Sequence, residues 1–372
     1  MQEDDELELN NLRTQIREID QQILELTAQR MQCARQVGEY KRRHNLPIKD
    51  YKVEKVILER AAEMAKNLGI YQDLAHTLLK TLIEYSVVEQ DEIKQVQPTI
   101  KGEQAKEFLI VGGFGHMGRW FANFFDSLGH KVSIYDKAVA GENNKFPLVN
   151  SLDSQMTQFD YIFLATPMHA SNQVLQSLAK LQLNAIVIEI SSLKSPIAQG
   201  LQAADQAGLK TVCLHPMFGP DAEFLAGRNI LFCERETHLA ALQEVEQIFS
   251  VTSANLIRLP FAMHDRLMNY ILGASHLINL LNASLLKDSG IDLSTLENMA
   301  GTTFAKQLTV SKNVVRENQD LYFDIQFYNQ ETDELFKNLQ KNIDRYQKAI
   351  QANNRSAFKD LMGASRRYFE DK

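Results

Sequence analysis

A glycine motif that begins only at Gly113 of this 372-residue chain most constrains its fold. A short apolar run, Phe108 to Val111, leads into Gly113-Phe114-Gly115-His116-Met117-Gly118. Glycines at this spacing after a strand permit a tight turn, let the backbone approach a pyrophosphate and let the next helix pack on the strand. Such a strand normally opens a dinucleotide-binding fold. The long stretch before it therefore predicts a separate module in front.

Length and composition allow several domains but exclude some partners. A chain of 372 residues with 44% hydrophobic and 23% charged residues is typical of globular protein with two or three cores. The net charge of -7 gives no reason to expect nucleic acid or an anionic membrane as partner. The acidic first residues contain no secretory signal, and no apolar run is long enough to span a bilayer. Three scattered cysteines predict a reducing cytoplasm, with no disulfide framework and no metal site.

The residues after the glycine turn continue the pattern of an α/β Rossmann domain. A second strand ends at Asp136, roughly 20 residues past Gly118, where a carboxylate accepts the adenosine ribose hydroxyls and favours NAD. The neighbouring cation Lys137 leaves NADP as an alternative cofactor. Ligands bind at the carboxyl ends of such strands. The residues that follow the later strands are Thr166, Ser192, Lys194 and His215, of which the histidine is the natural general base.

Polar residues interrupt two apolar stripes in the predicted N-terminal helices. The first stripe runs Leu12, Ile16, Ile19, Ile23 and Leu26, and the same spacing continues to Arg30 and beyond it to Lys41. In the third helix Leu74, Leu78 and Leu82 are followed by Ser86 and Gln90. Cations on one inner face, with a hydroxyl and an amide on another, predict a buried site for a small polyanion. The alternative is that the long side chains reach solvent at the stripe ends and Arg30 pairs with a core carboxylate.

The first 95 or so residues resemble the all-helical chorismate mutase family, in which three helices from each of two chains intertwine. The resemblance rests on Leu12-Arg13, Arg30, Val37-Gly38-Glu39-Tyr40-Lys41, Pro47-Ile48-Lys49-Asp50, Glu54 and Ser86-Val87-Val88-Glu89-Gln90. It implies that Arg13 of the partner chain, Arg30 and Ser86 bind the substrate carboxylates, Lys41 and Gln90 the ether oxygen, and Asp50 and Glu54 the ring hydroxyl. A Claisen rearrangement needs no nucleophile, so such donors suffice. Val53 departs from the family, where an arginine often precedes the glutamate.

The remaining residues resemble the prephenate dehydrogenase family through His215-Pro216-Met217-Phe218-Gly219-Pro220 and the upstream Ser192-Leu193-Lys194. The resemblance implies that His215 takes the proton of the ring 4-hydroxyl while hydride passes to NAD. Thr166 stands where a family serine bridges histidine and nicotinamide. Further residues carried over are Lys194 in the active site, His169 near the cofactor, and Ser192, His264 and His276 at the prephenate pocket.

A helical pattern from Phe261 onward predicts a C-terminal domain for substrate and dimer contacts. By periodicity alone His264 and His276 are more typical of surface or core-edge positions, and twelve residues apart they need not share a helix face. Two family arginines are missing here: Ala305 and Asn313 stand in their places. Lys312 is the first candidate to bind the ring carboxylate instead, with Lys306 and Arg316 as others.

The two resemblances together predict a cytoplasmic, homodimeric, bifunctional enzyme, both isomerase and oxidoreductase, that makes prephenate from chorismate and then 4-hydroxyphenylpyruvate with NAD. Predicted domains are a helical module at 1–96, a linker at 97–107, a Rossmann domain at 108–258 and a helical substrate and dimerisation domain at 259–372. One alternative uses 4-amino analogues of both substrates. Another is a regulatory or binding protein with one degenerate half, and Val53 and Asn313 keep both open. Tyrosine is a candidate feedback inhibitor that the sequence leaves open.

Overall fold

The structure, a computed structural model, describes residues 2–44, 51–91, 105–138, 144–222, 225 and 227–370. Contacts divide the chain into two units. The first contains the N-terminal helices and the sheet, and the second contains residues 167–172 and 192–199 together with the helices from Pro260 onward.

Three helices precede the sheet. They are α1 (Gln2–Arg43), α2 (Tyr51–Leu68) and α3 (Gln72–Asp91). The helix α3 packs against both α1 and α2. The two predicted apolar stripes lie on α1 and α3. Leu58 of α2 meets Ile83 of α3 in a small core.

A seven-stranded sheet forms the centre of the first unit, with strand order β2-β1-β3-β4-β5-β6-β7. Its strands are β1 (Glu107–Val111), β2 (Lys131–Tyr135), β3 (Tyr161–Leu164), β4 (Ile186–Glu189), β5 (Thr211–Pro216), β6 (Asn229–Glu234) and β7 (Asn255–Pro260). The first five are parallel, and β6 runs antiparallel to β5. Helices α4 (His116–Ser127), α5 (Met168–Leu178), α6 (Ala198–Gln206) and α7 (Leu239–Phe249) connect them. The parallel strands β1, β3, β4 and β5 are almost wholly buried, as strands covered on both faces must be, whereas the edge strand β2 is only partly buried.

Aromatic side chains fix helix α4 on the sheet. Phe108 of β1 stacks on Phe125, and Phe121 contacts Phe163 of β3 at a ring-centroid distance of 4.3 Å. Phe249 of α7 stacks on Phe124. This packing holds the start of α4, and with it the glycine turn, against the end of β1.

The second unit is helical. Its helices are α8 (Phe261–Met268), α9 (Ser275–Asp288), α10 (Leu293–Asn298), α11 (Thr302–Val314), α12 (Gln319–Tyr328), α13 (Thr332–Gln351) and α14 (Arg355–Glu370). A π-helical turn, Asn269–Ala274, joins α8 to α9. Among the described residues, no helix is long and apolar enough to cross a membrane, and no group of side chains is arranged to hold a metal ion.

The predicted fold class is confirmed: a helical N-terminal region, a Rossmann-like sheet and a C-terminal helical region follow in order. His215, which was predicted to follow its strand, lies within β5, and the strand continues through Pro216 because β6 pairs with its last residues. The elements β6, α7 and β7 were not predicted. The domain boundaries at 96, 107 and 258 stay predictions, and most of the proposed linker lies outside the described residues.

Candidate active sites

The glycine turn lies between β1 and α4, as its spacing predicts. Gly112 adopts a φ of +83°, which favours glycine, and its N–H donates to the Tyr135 carbonyl at 2.8 Å. A Cβ at Gly118 would overlap the Gly112 carbonyl oxygen. A side chain at Gly118 would therefore push the turn away from the helix, and one at Gly112 would strain the backbone and collide with Ala165.

Asp136 holds the same turn from β2. Its carboxylate accepts the N–H of Phe114 at 2.8 Å and that of Ala138 at 2.9 Å. Asp136, which the sequence predicts to bind the adenosine ribose, thus lies directly beside the glycines. A turn rich in glycine, a helix beginning at His116 and an adjacent carboxylate together fit a dinucleotide.

His215 is the penultimate residue of β5 and is buried, with 5% of its surface exposed. Thr166 follows β3 and is half-buried, and its methyl group would lie 2.7 Å from a Cβ at Gly112. Both residues are therefore at the carboxyl ends of their strands, as predicted, and Thr166 lies directly against the glycine turn.

In the second unit, one carboxylate gathers several groups around Lys194. The Lys194 side chain is 2% exposed. Asp265 of α8 accepts the backbone N–H of Lys194 at 2.8 Å and that of Ser195 at 2.7 Å. It also accepts the Ser195 hydroxyl, and its Oδ1 lies 2.7 Å from His264 Nδ1. Ser192 is half-buried and His169 is exposed in α5.

Burial and hydrogen bonding act on the Asp265 pKa in opposite directions. Burial raises this pKa, but hydrogen bonds from His264, Ser195 and the Lys194 backbone outweigh it and hold the pKa well below its usual range. The carboxylate is therefore charged throughout the neutral range. His264 beside it is completely buried, so its expected surface or core-edge position is wrong.

The π-helical turn changes the angular relation of His264 and His276. Twelve residues of pure α-helix would place the two side chains about 120° apart. One extra residue in a π turn reduces that offset to about 20°. The turn, Asn269–Ala274, lies between them, so helix geometry places both histidines on nearly one face.

Three polar atoms beside this turn are buried with no hydrogen-bond partner in the described part of the chain: His276 Nδ1, Asn269 Oδ1 and Gln326 Oε1. Burial lowers the pKa of His276 to about 4, so its ring is neutral near pH 7. The ring stacks on Tyr322 with centroids 4.0 Å apart. Unpaired buried polar atoms cost about 1 to 3 kcal/mol each, which makes this face a candidate to bind a ligand.

The residues near the missing arginines do not form a ready anion site. Lys312 is ion-paired with Glu297 and lines an apolar cavity of about 290 Å³ formed by α9, α10, α11 and the segments beside α10. Asn313, Lys306 and Arg316 are exposed. As a ligand of the ring carboxylate, Lys312 would have to exchange partners.

In the helical module the two interrupted stripes meet. Arg30 of α1 donates through Nη1 to the Ser86 hydroxyl and the Leu82 carbonyl of α3. Burial lowers the pKa of Arg30 from its ordinary value. The structure therefore brings together two of the predicted mutase residues, and the alternative of a core carboxylate partner for Arg30 finds no support in these contacts.

Other predicted mutase residues are placed differently. Arg13 is exposed on α1, and Lys41 is half-buried. Glu54 is buried and accepts the hydroxyl of Ser253, which follows α7, at 2.8 Å. Asp50 lies outside the described residues. So does the side chain of Gln90, although its backbone belongs to α3.

Three residues with structural roles at these sites were missed. Gly112 had a signal, because it directly precedes the motif glycine. Asp265 and Ser253 had none, since their partners lie far away in sequence.

Family comparisons agree with the order of the domains. Residues 12–91 match chorismate mutase type II, residues 129–258 the nucleotide-binding domain of prephenate dehydrogenase and residues 261–364 its dimerization domain. The glycine turn lies outside these matches.

Whole-chain relatives are similar over most of their length. The T-protein of Enterobacter agglomerans is 28% identical over 86% of this chain and 81% of its own. The T-protein of Haemophilus influenzae is 26% identical over 98% and 93%. A crystal structure of prephenate dehydrogenase from A. aeolicus, in complex with hydroxyphenyl propionate and NAD+, shares the fold, with a TM-score of 0.57 and 16% identity over 73% of this chain and 100% of that one.

Proposed function

This chain belongs to the chorismate mutase and prephenate dehydrogenase families as a bifunctional enzyme of tyrosine biosynthesis, and we propose a residue-level division of its two reactions. The N-terminal helices rearrange chorismate to prephenate. The remaining residues oxidise and decarboxylate prephenate to 4-hydroxyphenylpyruvate with NAD.

For the mutase, the observation that carries the proposal is the contact of Arg30 with Ser86 across α1 and α3. A half-buried guanidinium beside a buried hydroxyl is suited to a carboxylate of chorismate. Lys41 and Gln90 would stabilise negative charge on the ether oxygen as the C–O bond breaks. Asp50 and Glu54 would bind the ring hydroxyl, and Glu54 would then exchange its Ser253 partner for substrate.

For the dehydrogenase, His215 would accept the proton of the ring 4-hydroxyl. NAD, when bound, accepts the hydride from the ring carbon that carries this hydroxyl. The ring carboxylate leaves as carbon dioxide. The glycine turn and Asp136 would bind the dinucleotide, with Thr166 and His169 beside it. Lys194, Ser192, His264 and His276 would bind prephenate, and Lys312 would bind its ring carboxylate after leaving Glu297.

A homodimer is supported by the surface of α1. Its predicted stripe is exposed in the single chain, for example 57% at Ile16 and 53% at Ile19. Burying such a stripe against a second copy would also deliver Arg13 to the partner's site. None of the described cysteines, Cys33, Cys213 and Cys233, forms a disulfide, which fits a cytoplasmic location. Tyrosine stays a candidate inhibitor, since it resembles the product.

One assay tests both activities. Purified protein is given chorismate and NAD, and chorismate loss and NADH formation are followed separately. We expect chorismate loss without NAD and NADH formation only with it. In parallel, prephenate and its 4-amino analogue are compared, since both keep the ring carboxylate. Turnover of the amino compound with none of prephenate would favour the alternative substrate, and neither activity would favour a binding protein.

A further inference from the structure

The Asp265 carboxylate serves two structural elements at once. Its oxygens bind the backbone N–H groups of Lys194 and Ser195, which lie about 70 positions earlier in the sequence. The same carboxylate faces Nδ1 of His264, its neighbour in α8. The carbonyl of Asp265 accepts an N–H of the Asn329 side chain at 3.0 Å, which fixes this turn of α8 at the end of α12.

Both groups held by Asp265 need exact placement. Lys194 is 2% exposed and His264 is 0% exposed. The surrounding protein therefore restricts both side chains to few positions. The direction of a buried lysine depends on the backbone from which it projects. Because Nδ1 of His264 faces the carboxylate at 2.7 Å, this contact sets the orientation of the ring.

We infer that Asp265 is a positioning residue of the dehydrogenase, which sets the backbone at Lys194 and the ring orientation of His264 through one carboxylate. This inference rests on the proposed function, in which Lys194 and His264 bind prephenate. Asp265 itself is not expected to touch substrate. Partners of this kind commonly change activity by about 10- to 100-fold when removed.

The first test is Asp265→Asn, which keeps the shape but turns an N–H₂ group toward N–H donors. We expect kcat/KM for prephenate to fall about 10- to 100-fold, while the KM for NAD changes less than about twofold. The mutase activity of the same protein reports that it remains folded. Asp288→Asn, an exposed aspartate paired with Lys287, is the matched control and should behave as the parent protein.

A double-mutant cycle separates positioning from general stability. If Asp265 acts through Lys194 and His264, then Asp265→Asn should lower the prephenate rate less in a Lys194→Ala background than in the parent protein, because only the orientation of His264 is left to lose. A merely structural role would give the same loss in both backgrounds and would overturn the inference. So would a wild-type kcat/KM for prephenate in Asp265→Asn.

A milder variant covers the case in which Asp265→Asn does not fold. Ser195→Ala removes one donor to the carboxylate and keeps the backbone bonds. We expect a threefold to tenfold loss of kcat/KM for prephenate, and a smaller loss in the Lys194→Ala background. No loss in the Ser195→Ala protein overturns the inference. If the parent protein does not oxidise prephenate at all, the proposed function fails instead, so the two failures are distinguishable.

Discussion

The N-terminal helices and the sheet differ in how much apolar surface one copy of the chain covers. In α1 the stripe residues Leu12, Ile16 and Ile19 are each at least half exposed, whereas Phe108, Leu109 and Ile110 of β1 are 0% exposed. A single chain therefore completes the core of the sheet but leaves the long helix uncovered. The sites follow the same division: the glycine turn is fully assembled, while Arg13 stays exposed.

Arg30→Ala is expected to have the largest effect on one activity, the mutase, without the other. Loss of the guanidinium that contacts Ser86 removes a carboxylate ligand, which should cost about 2 to 4 kcal/mol in the transition state, or roughly 30- to 1000-fold in mutase kcat/KM. Dehydrogenase activity on supplied prephenate should persist. Arg60→Ala, on an exposed face of α2, is the control. Equal loss of both activities would mean that Arg30 stabilises the whole protein.

The reciprocal change is His215→Asn in β5. Removing the proton acceptor should lower dehydrogenase kcat by roughly a hundredfold or more, with NAD binding measured by fluorescence nearly unchanged. The mutase rate serves as the reference within the same protein. The control is His238→Asn, because His238 contacts Asp205 at the surface. This variant should leave both activities unchanged. A dehydrogenase unaffected by His215→Asn would remove it from the mechanism.

A charge placed on the exposed apolar stripe of α1 tests whether a second copy of the chain covers it. Ile19→Asp should lower mutase activity about tenfold or more, since burial of one isoleucine contributes about 1.5 to 3 kcal/mol. The loss should be largest at low protein concentration, and dehydrogenase activity should be retained. Gln22→Asp, also exposed on α1, is the control. Mutase activity insensitive to Ile19→Asp would contradict the proposed intertwined helices.

Asp136→Ser tests cofactor choice in the sheet half. The wild type should prefer NAD to NADP, because the carboxylate repels a 2'-phosphate, and the variant should narrow the ratio of the two kcat/KM values about tenfold. Using the ratio cancels any loosening of the turn at Phe114. A wild type that prefers NADP would assign the ribose contact to Lys137.

The smallest expected effect tests the contact that links the halves. Ser253→Ala removes the hydroxyl that donates to Glu54 and should change the mutase KM by about twofold to fivefold, the value of one hydrogen bond, with the dehydrogenase unaffected. Ser250→Ala is the control, because its hydroxyl binds Gln247 and Lys55 contacts only its backbone. Identical mutase kinetics in both variants would show that Ser253 does not influence Glu54.

The sequence predicted what depends on local order. Glycine spacing, apolar periodicity and the acid after β2 gave the turn, the helices and the position of Asp136, because each depends on residues close together in the chain. The antiparallel strand β6 was not predicted. A short apolar strand has no strong local pattern, and its pairing with β5 is decided across the sheet.

Two classes of feature were decided only by tertiary structure. The first is the partner of a side chain: Arg30 on Ser86, Glu54 on Ser253 and Asp265 on the backbone at Lys194 each join positions more than fifty residues apart. The second is phase: the π turn at Asn269–Ala274 shifts His276 toward the face of His264, although their spacing in a regular helix would separate them. Sequence by itself determined which residue types carry the chemistry and on which elements they lie. Long-range packing decided which of them meet, because its free energy comes from contacts that no local pattern contains.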